Sequence, residues 1–186
     1  RFMIMPTVKT FKERLRAGSE IFHTLKKILN DMGCSTGVGD EGGFAPNLKN
    51  NEEALELIVK AIEESGYTPG VDVFIALDVA SSEIYDANTN TYSIDGKKLN
   101  PTELTNYYIS LIEKYPVVSI EDAFMEDDFE SLAKLTSIIG SKIMLVGDDY
   151  FVTNKKFLQK GIDNHAGNAI LLKANQIGTI TEMVDT

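Results

Sequence analysis

Four short apolar runs in this chain each stop on a charged residue: Val73 to Leu77 on Asp78, Val117 to Ile120 on Glu121, Ile143 to Val146 on Gly147 and Asp148, and Ala169 to Leu172 on Lys173. Continuous apolar runs of this length suit strands covered on both faces, which is the situation in parallel sheets. A fifth run, Phe2 to Met5, opens the chain. In a parallel sheet or barrel the carboxyl ends of the strands share one face, and ligands bind there. A charge beside a buried strand costs several kcal/mol unless something compensates it. Asp78, Glu121, Asp148 and Lys173 are therefore the first candidates for a site.

Between the runs lie helical patterns. Phe11, Leu15, Gly18, Phe22, Leu25, Leu29 and Met32 follow one another at alternating steps of four and three, predicting one stripe of a helix that Gly33 ends. A second helix is expected from Asn51 as N-cap to Gly66, and a third from Asn100, Pro101 and Glu103, with Leu104, Tyr107, Tyr108, Leu111, Ile112 and Tyr115 inward. Phe129, Leu132, Leu135 and Ile138 mark a fourth, and weaker patterns start near Thr153 and Thr179. Ile84 to Ile94, followed by Asp95-Gly96, reads as a small inserted hairpin. Strand alternating with helix predicts an α/β class with a parallel sheet, and no linker-like segment divides the chain.

The formal charge of -10 with scattered basic residues argues against a nucleic-acid partner, because phosphate contacts need clustered Lys and Arg. No apolar run approaches the roughly 18 residues of a membrane span, and no leader pattern opens the chain. The single cysteine, Cys34, can form no internal disulfide and suits a reducing cytoplasm. Most acids, such as Glu52, Glu53, Glu56, Glu63 and Glu64, read as solvated helix faces.

Three hard oxygen donors with no histidine or cysteine beside them suit magnesium, with Asp78, Glu121 and Asp148 as ligands. Any one of the three acids alone serves equally well as a helix cap or as the partner of a local lysine. Lys173 near a dication would have its ammonium form disfavoured, as a general base requires, although a plain salt bridge is the alternative. Gly37, Gly39 and Gly42 fit the dinucleotide pattern G-x-G-x-x-G. That reading fails on context: a helix precedes the segment, Pro46 follows it, and Asp40 and Glu41 would repel a pyrophosphate. A loop presenting the Glu41 carboxylate to a ligand is the better reading.

The segments Val38 to Pro46 (VGDEGGFAP), Ala76 to Glu83 (ALDVASSE), Ser119 to Asp122 (SIED), Glu126 to Asp128 (EDD), Val146 to Asp149 (VGDD) and Leu172 to Gly178 (LKANQIG) resemble the signatures of the enolase family, in the family's order. The resemblance runs from Phe2 nearly to Thr186. It implies a partial (β/α) barrel of parallel strands, a single incomplete domain over 1–186. It implies Mg2+ on Asp78, Glu121 and Asp148, with Lys173 removing the proton next to the carboxylate of 2-phosphoglycerate and Glu41 assisting loss of the hydroxyl. The product is phosphoenolpyruvate. Enolase-superfamily sites are a known case of a lysine or histidine base paired with magnesium.

Departures temper what carries over. Arg1 stands where the family usually has a glutamate, a glycine is missing after Thr7, and Ala123 replaces a usual proline. The family's N-terminal domain, several barrel strands and the groups that grip the phosphate have no counterpart. The isolated chain is accordingly expected to be inactive. Its open strand edges predict a homo-oligomer or association with a complementing fragment. A catalytically silent binding or assembly module is the alternative.

Overall fold

The computed structural model describes every residue from Arg1 to Thr186, packed as two units: Phe2–Ile75, and Arg1 with Ala76–Thr186. The Phe2–Ile75 unit holds β1 (Phe2–Pro6), α1 (Phe11–Asp31), α2 (Asn51–Glu64) and the start of β2 (Val73–Asp78). Thr10 and Glu13 form a reciprocal capping box at the head of α1, which satisfies two amide donors the helix cannot. The N-cap of α2 is Asn50, whose side chain accepts from the Glu53 amide, one residue before the expected Asn51.

The buried line of α1 also differs from the expected stripe. It consists of Ala17, Ile21, Ile28 and Leu29, whereas Phe11 and Leu15 are exposed at 80% and 65%. The physical reason is that polar residues share the inner side. Thr24 accepts from Ser65 at 2.8 Å, and Glu20 accepts from the Tyr67 hydroxyl at 2.6 Å. Periodicity counts such positions as outward, but a paired polar group can sit half-exposed on the packed side. Gly33 ends the helix with φ 73° as predicted.

The second unit begins with Ala76–Asp78 of β2 and an antiparallel sheet of β3 (Tyr85–Asp86), β4 (Thr91–Ile94) and β5 (Lys97–Leu99). The expected hairpin has thus gained a third strand. Asp95 and Gly96, at φ 49° and 73°, make the tight turn that returns Lys97 opposite Ile94. After α3 (Pro101–Lys114), capped by Asn100 and Glu103, come β6 (Val117–Glu121), α4 (Phe129–Ile139), β7 (Met144–Gly147), α5 (Lys155–Asp163) and β8 (Ala169–Ile170). Two short helices, α6 (Ala174–Ile177) and α7 (Ile180–Asp185), follow.

Strands β2, β6, β7 and β8 are neighbours in that order, with β6–β7 and β7–β8 parallel, and the order does not close on itself. The α/β class with a parallel sheet is therefore correct, and the arrangement is that of part of a barrel. β8 is shorter than the apolar run suggested. Asn168 finishes the β7–β8 edge instead: its carbonyl accepts from the Leu145 amide at 2.7 Å, and its amide donates to Gly140 and Ile143.

Two aromatic groups fill this unit. Tyr92 from the small sheet is fully buried against Phe124, and its hydroxyl accepts from the Met125 amide at 3.0 Å. The inserted sheet thereby braces the loop that leaves β6. Phe151 is wedged between two glycines: a Cβ at Gly147 or at Gly161 would come within 2.5 Å of its ring. Phe129 and Tyr150 close the remaining sides. No helix is long and apolar enough to cross a membrane.

Candidate metal and lysine site

Asp78 is the last residue of β2 and Glu121 the last of β6; Asp148 follows β7, and Lys173 follows the run that contains β8. Asp78 and Asp148 are buried. One carboxylate oxygen each from Asp78, Glu121 and Asp122 lie within 4.8 Å of one another, and the same holds for Asp122, Asp148 and Asp149. The three acids singled out from the sequence thus fall into two groups that share Asp122, and each group could hold a metal ion. Both contain only carboxylates, the donor set that suits a hard divalent cation.

The second acid of each pair was missed by sequence reasoning. Strand periodicity sends Asp122 to the face opposite Glu121. Its φ of 47° breaks the strand, and its carboxylate accepts from the Asp148 amide at 3.0 Å and from the Asp149 amide at 3.1 and 3.2 Å. Asp122 therefore fixes the backbone that carries Asp148. Non-glycine residues in the left-handed region recur in these loops, at Ala80, Asp122, Val152 and Thr153. Each costs on the order of 1–3 kcal/mol, and such strain persists only where the surroundings over-determine it. The Ser-Ile-Glu-Asp segment was the one available signal for Asp122.

The oxygens of two acids already hold donors. Asp78 Oδ2 accepts from the Arg1 guanidinium at 2.5 Å and Oδ1 from the Ala80 amide at 3.1 Å. Asp148 Oδ2 meets Lys173 Nζ in a short ion pair, while Oδ1 accepts from Gln176 Nε2 at 2.8 Å. Its own hydrogen bond to Asp148, with the charges of Asp148, Glu121 and Asp149, holds the Lys173 ammonium's pKa above its ordinary value, and partial burial opposes them. Glu121 differs: burial first, then the charges of Asp78, Asp122 and Asp148, push its carboxyl up to about 7. Asp122 is pushed up to about 6, also by burial, although the two amides it accepts from work the other way.

Glu41 lies in the Phe2–Ile75 unit, at the exposed tip of a turn closed by Gly42 to Gly39 and Gly39 to Gly43 hydrogen bonds, both 2.9 Å. Val38 and Phe44 bridge its base, and Phe44 stacks on Phe22 at 4.4 Å. The next helix starts only at Asn51. Gly37, Gly39 and Gly42 therefore do not open a helix, and the rejection of a dinucleotide loop stands.

A parallel α/β sheet with acids and a lysine at the carboxyl ends of its strands defines a barrel-type domain with a candidate metal centre. The family model described as the enolase C-terminal TIM barrel domain matches residues 1–186. The chain belongs to that family.

The raised carboxyl of Glu121 has a pH consequence. Its folded value lies above the ordinary 4.5, so the folded chain binds this proton more tightly than the unfolded chain does. The contribution of Glu121 to stability is therefore present at low pH and is lost as pH rises through about 7. Cation binding needs the carboxylate and runs the opposite way. The affinity of any cation held through Glu121 should therefore fall as pH drops below about 7, approaching tenfold per pH unit, with release of one proton on binding. Calorimetric titration in buffers of differing ionisation enthalpy measures that proton. A flat profile from about pH 8 to about pH 5 would remove Glu121 from the ligand set.

Proposed function

We propose that this chain is a central part of the barrel domain of an enolase, the lyase that reversibly dehydrates 2-phosphoglycerate to phosphoenolpyruvate in cytoplasmic glycolysis. Asp78, Glu121 and Asp148 hold Mg2+, Lys173 is the base, and Glu41 assists departure of the hydroxyl as water. The observation that carries the reading is Lys173 Nζ seated on the Asp148 carboxylate at the ends of adjoining strand runs. A base there has an acidic neighbour suited to a metal, which is the pairing this chemistry needs.

A proton beside a carboxylate is weakly acidic, because its removal adds a second negative charge to an anionic group. Bound to these acids, magnesium would supply the positive charge that offsets the new one. Lys173 must take the proton at Nζ, so it must begin neutral. Its contact with Asp148 is the leading cause that opposes this, and engaging Asp148 elsewhere removes that cause. Asp122 keeps the Asp148 backbone in place throughout.

Asp148→Asn tests the reading. It should weaken magnesium binding by tenfold or more, about 1.4 kcal/mol, and should stop formation of phosphoenolpyruvate in the natural full-length protein. Unchanged magnesium affinity would sink the metal assignment. One observation favours a second reading, a silent binding or assembly module: the Arg1 guanidinium occupies Asp78 Oδ2. In that case the unaltered chain takes up neither magnesium nor 2-phosphoglycerate.

A further inference from the structure

Thr153 is fully buried although its side chain is polar, and it stands in the left-handed region directly after Val152, which stands there too. Two consecutive β-branched residues in that region are an outlier, since the branch crowds the backbone. Neighbouring contacts hold the turn in place. The Val152 amide donates to the Asp148 carbonyl at 2.8 Å, and Phe151 is wedged against Gly147 and Gly161. The turn delivers one hydroxyl to one place.

That hydroxyl makes two contacts with the site. It accepts from the Lys173 backbone amide at 2.8 Å, and it donates to Gln176 Oε1 at 2.8 Å. A threonine hydroxyl has one proton to give. Once it is given to Gln176 Oε1, the other end of that amide must face away, and Nε2 donates to Asp148 Oδ1. The acceptor-only Asp148 carboxylate already selects the Nε2 end of Gln176; without the hydroxyl, Oε1 loses its donor and the amide is held at one end alone.

From this geometry we infer that Thr153 is a positioning residue for both halves of the site: it anchors the backbone that carries Lys173 and pins the far end of the Gln176 amide whose near end donates to Asp148. The inference rests on the reading of Lys173 as base and Asp148 as metal ligand. It adds a residue that touches neither substrate nor metal and acts through two that do.

Thr153→Val keeps the shape and removes the hydroxyl, while Thr153→Ser keeps the hydroxyl. Two readouts apply: calorimetric titration of the chain with Mg2+ alone, and exchange of the proton next to the carboxylate of 2-phosphoglycerate with deuterium in the natural full-length protein. Thr153→Val should weaken Mg2+ binding and slow exchange by about 10–100-fold, the usual range for outer partners of a metal site. The slowing should fall on the rate constant, with KM within about threefold. Thr153→Ser should stay within about threefold of the unaltered protein in both readouts.

A Thr153→Val protein with unaltered Mg2+ affinity and exchange would overturn the inference, as would a serine variant as impaired as the valine one. Should Thr153→Val fail to fold, half-buried Gln176 provides the second variant. Gln176→Leu should weaken Mg2+ binding about tenfold, and unaltered affinity there overturns the inference too. Lys173→Ala is the control that separates the two levels. Exchange that survives Lys173→Ala defeats the proposed function and this inference with it. Exchange that is lost in Lys173→Ala but kept in Thr153→Val defeats the inference alone.

Discussion

Lys173→Ala is expected to slow proton exchange at 2-phosphoglycerate by about 10²–10⁴-fold, the usual contribution of a positioned general base, while magnesium binding is kept. The two effects would separate because Lys173 and a metal on Asp148 would compete for one carboxylate. Asp148 Oδ2 now holds the Lys173 ammonium, so removing that cation frees a ligand oxygen and should raise magnesium affinity. Lys173→Arg restores the positive charge without a usable base, because a guanidinium does not lose its proton in this pH range. It should be as slow as the alanine variant and should bind magnesium more weakly. A lysine whose role is only a salt bridge would give the opposite result, with arginine rescuing activity.

The largest loss of stability is expected from Phe151→Ala, at about 3–5 kcal/mol. Its ring is 3% exposed and rests on Gly147 and Gly161, where no Cβ stands between it and the backbone. Truncation therefore leaves a cavity that those glycines cannot fill. For a chain of this size each kcal/mol moves the melting temperature by about 2–4 °C, so the midpoint should drop by about 6–20 °C. The same substitution should weaken magnesium binding, because Phe151 leads into the turn that presents Thr153. A thermal melt moved by less than about 3 °C would show that the aromatic wedge is not what holds this turn.

What the sequence revealed and what it hid follow from the range of the forces involved. Apolar runs ending on charges placed Asp78, Glu121, Asp148 and Lys173 at strand ends, because burial on both faces demands unbroken apolar residues and the strand end is where that demand stops. Caps at Asn100 and Gly33 were readable for the same local reason. Asp122, Thr153 and Gln176 were not readable as parts of the site. Their roles depend on left-handed backbone and on hydrogen bonds that span 20–28 residues of chain, and neither leaves a periodic trace. The α1 stripe was misassigned because Glu20 and Thr24 are paired with Tyr67 and Ser65, just past the end of α2, so their polarity no longer marks the outer side. Asp95-Gly96 was read as the end of a hairpin when it is the turn into a third strand, Lys97–Leu99, whose two lysines hide its β character.

Asp78, Glu121 and Asp148 are proposed to hold one cation beside Lys173. Crystals grown with Mn2+ as a stand-in for magnesium test this proposal most directly, through the anomalous scattering of the ion. A single strong peak is expected at bonding distance, roughly 2.0–2.3 Å, from an oxygen of each of the three carboxylates, with Lys173 Nζ turned away from Asp148. A peak shared by Asp122, Asp148 and Asp149 instead, or no peak at any of these acids, would contradict the proposal.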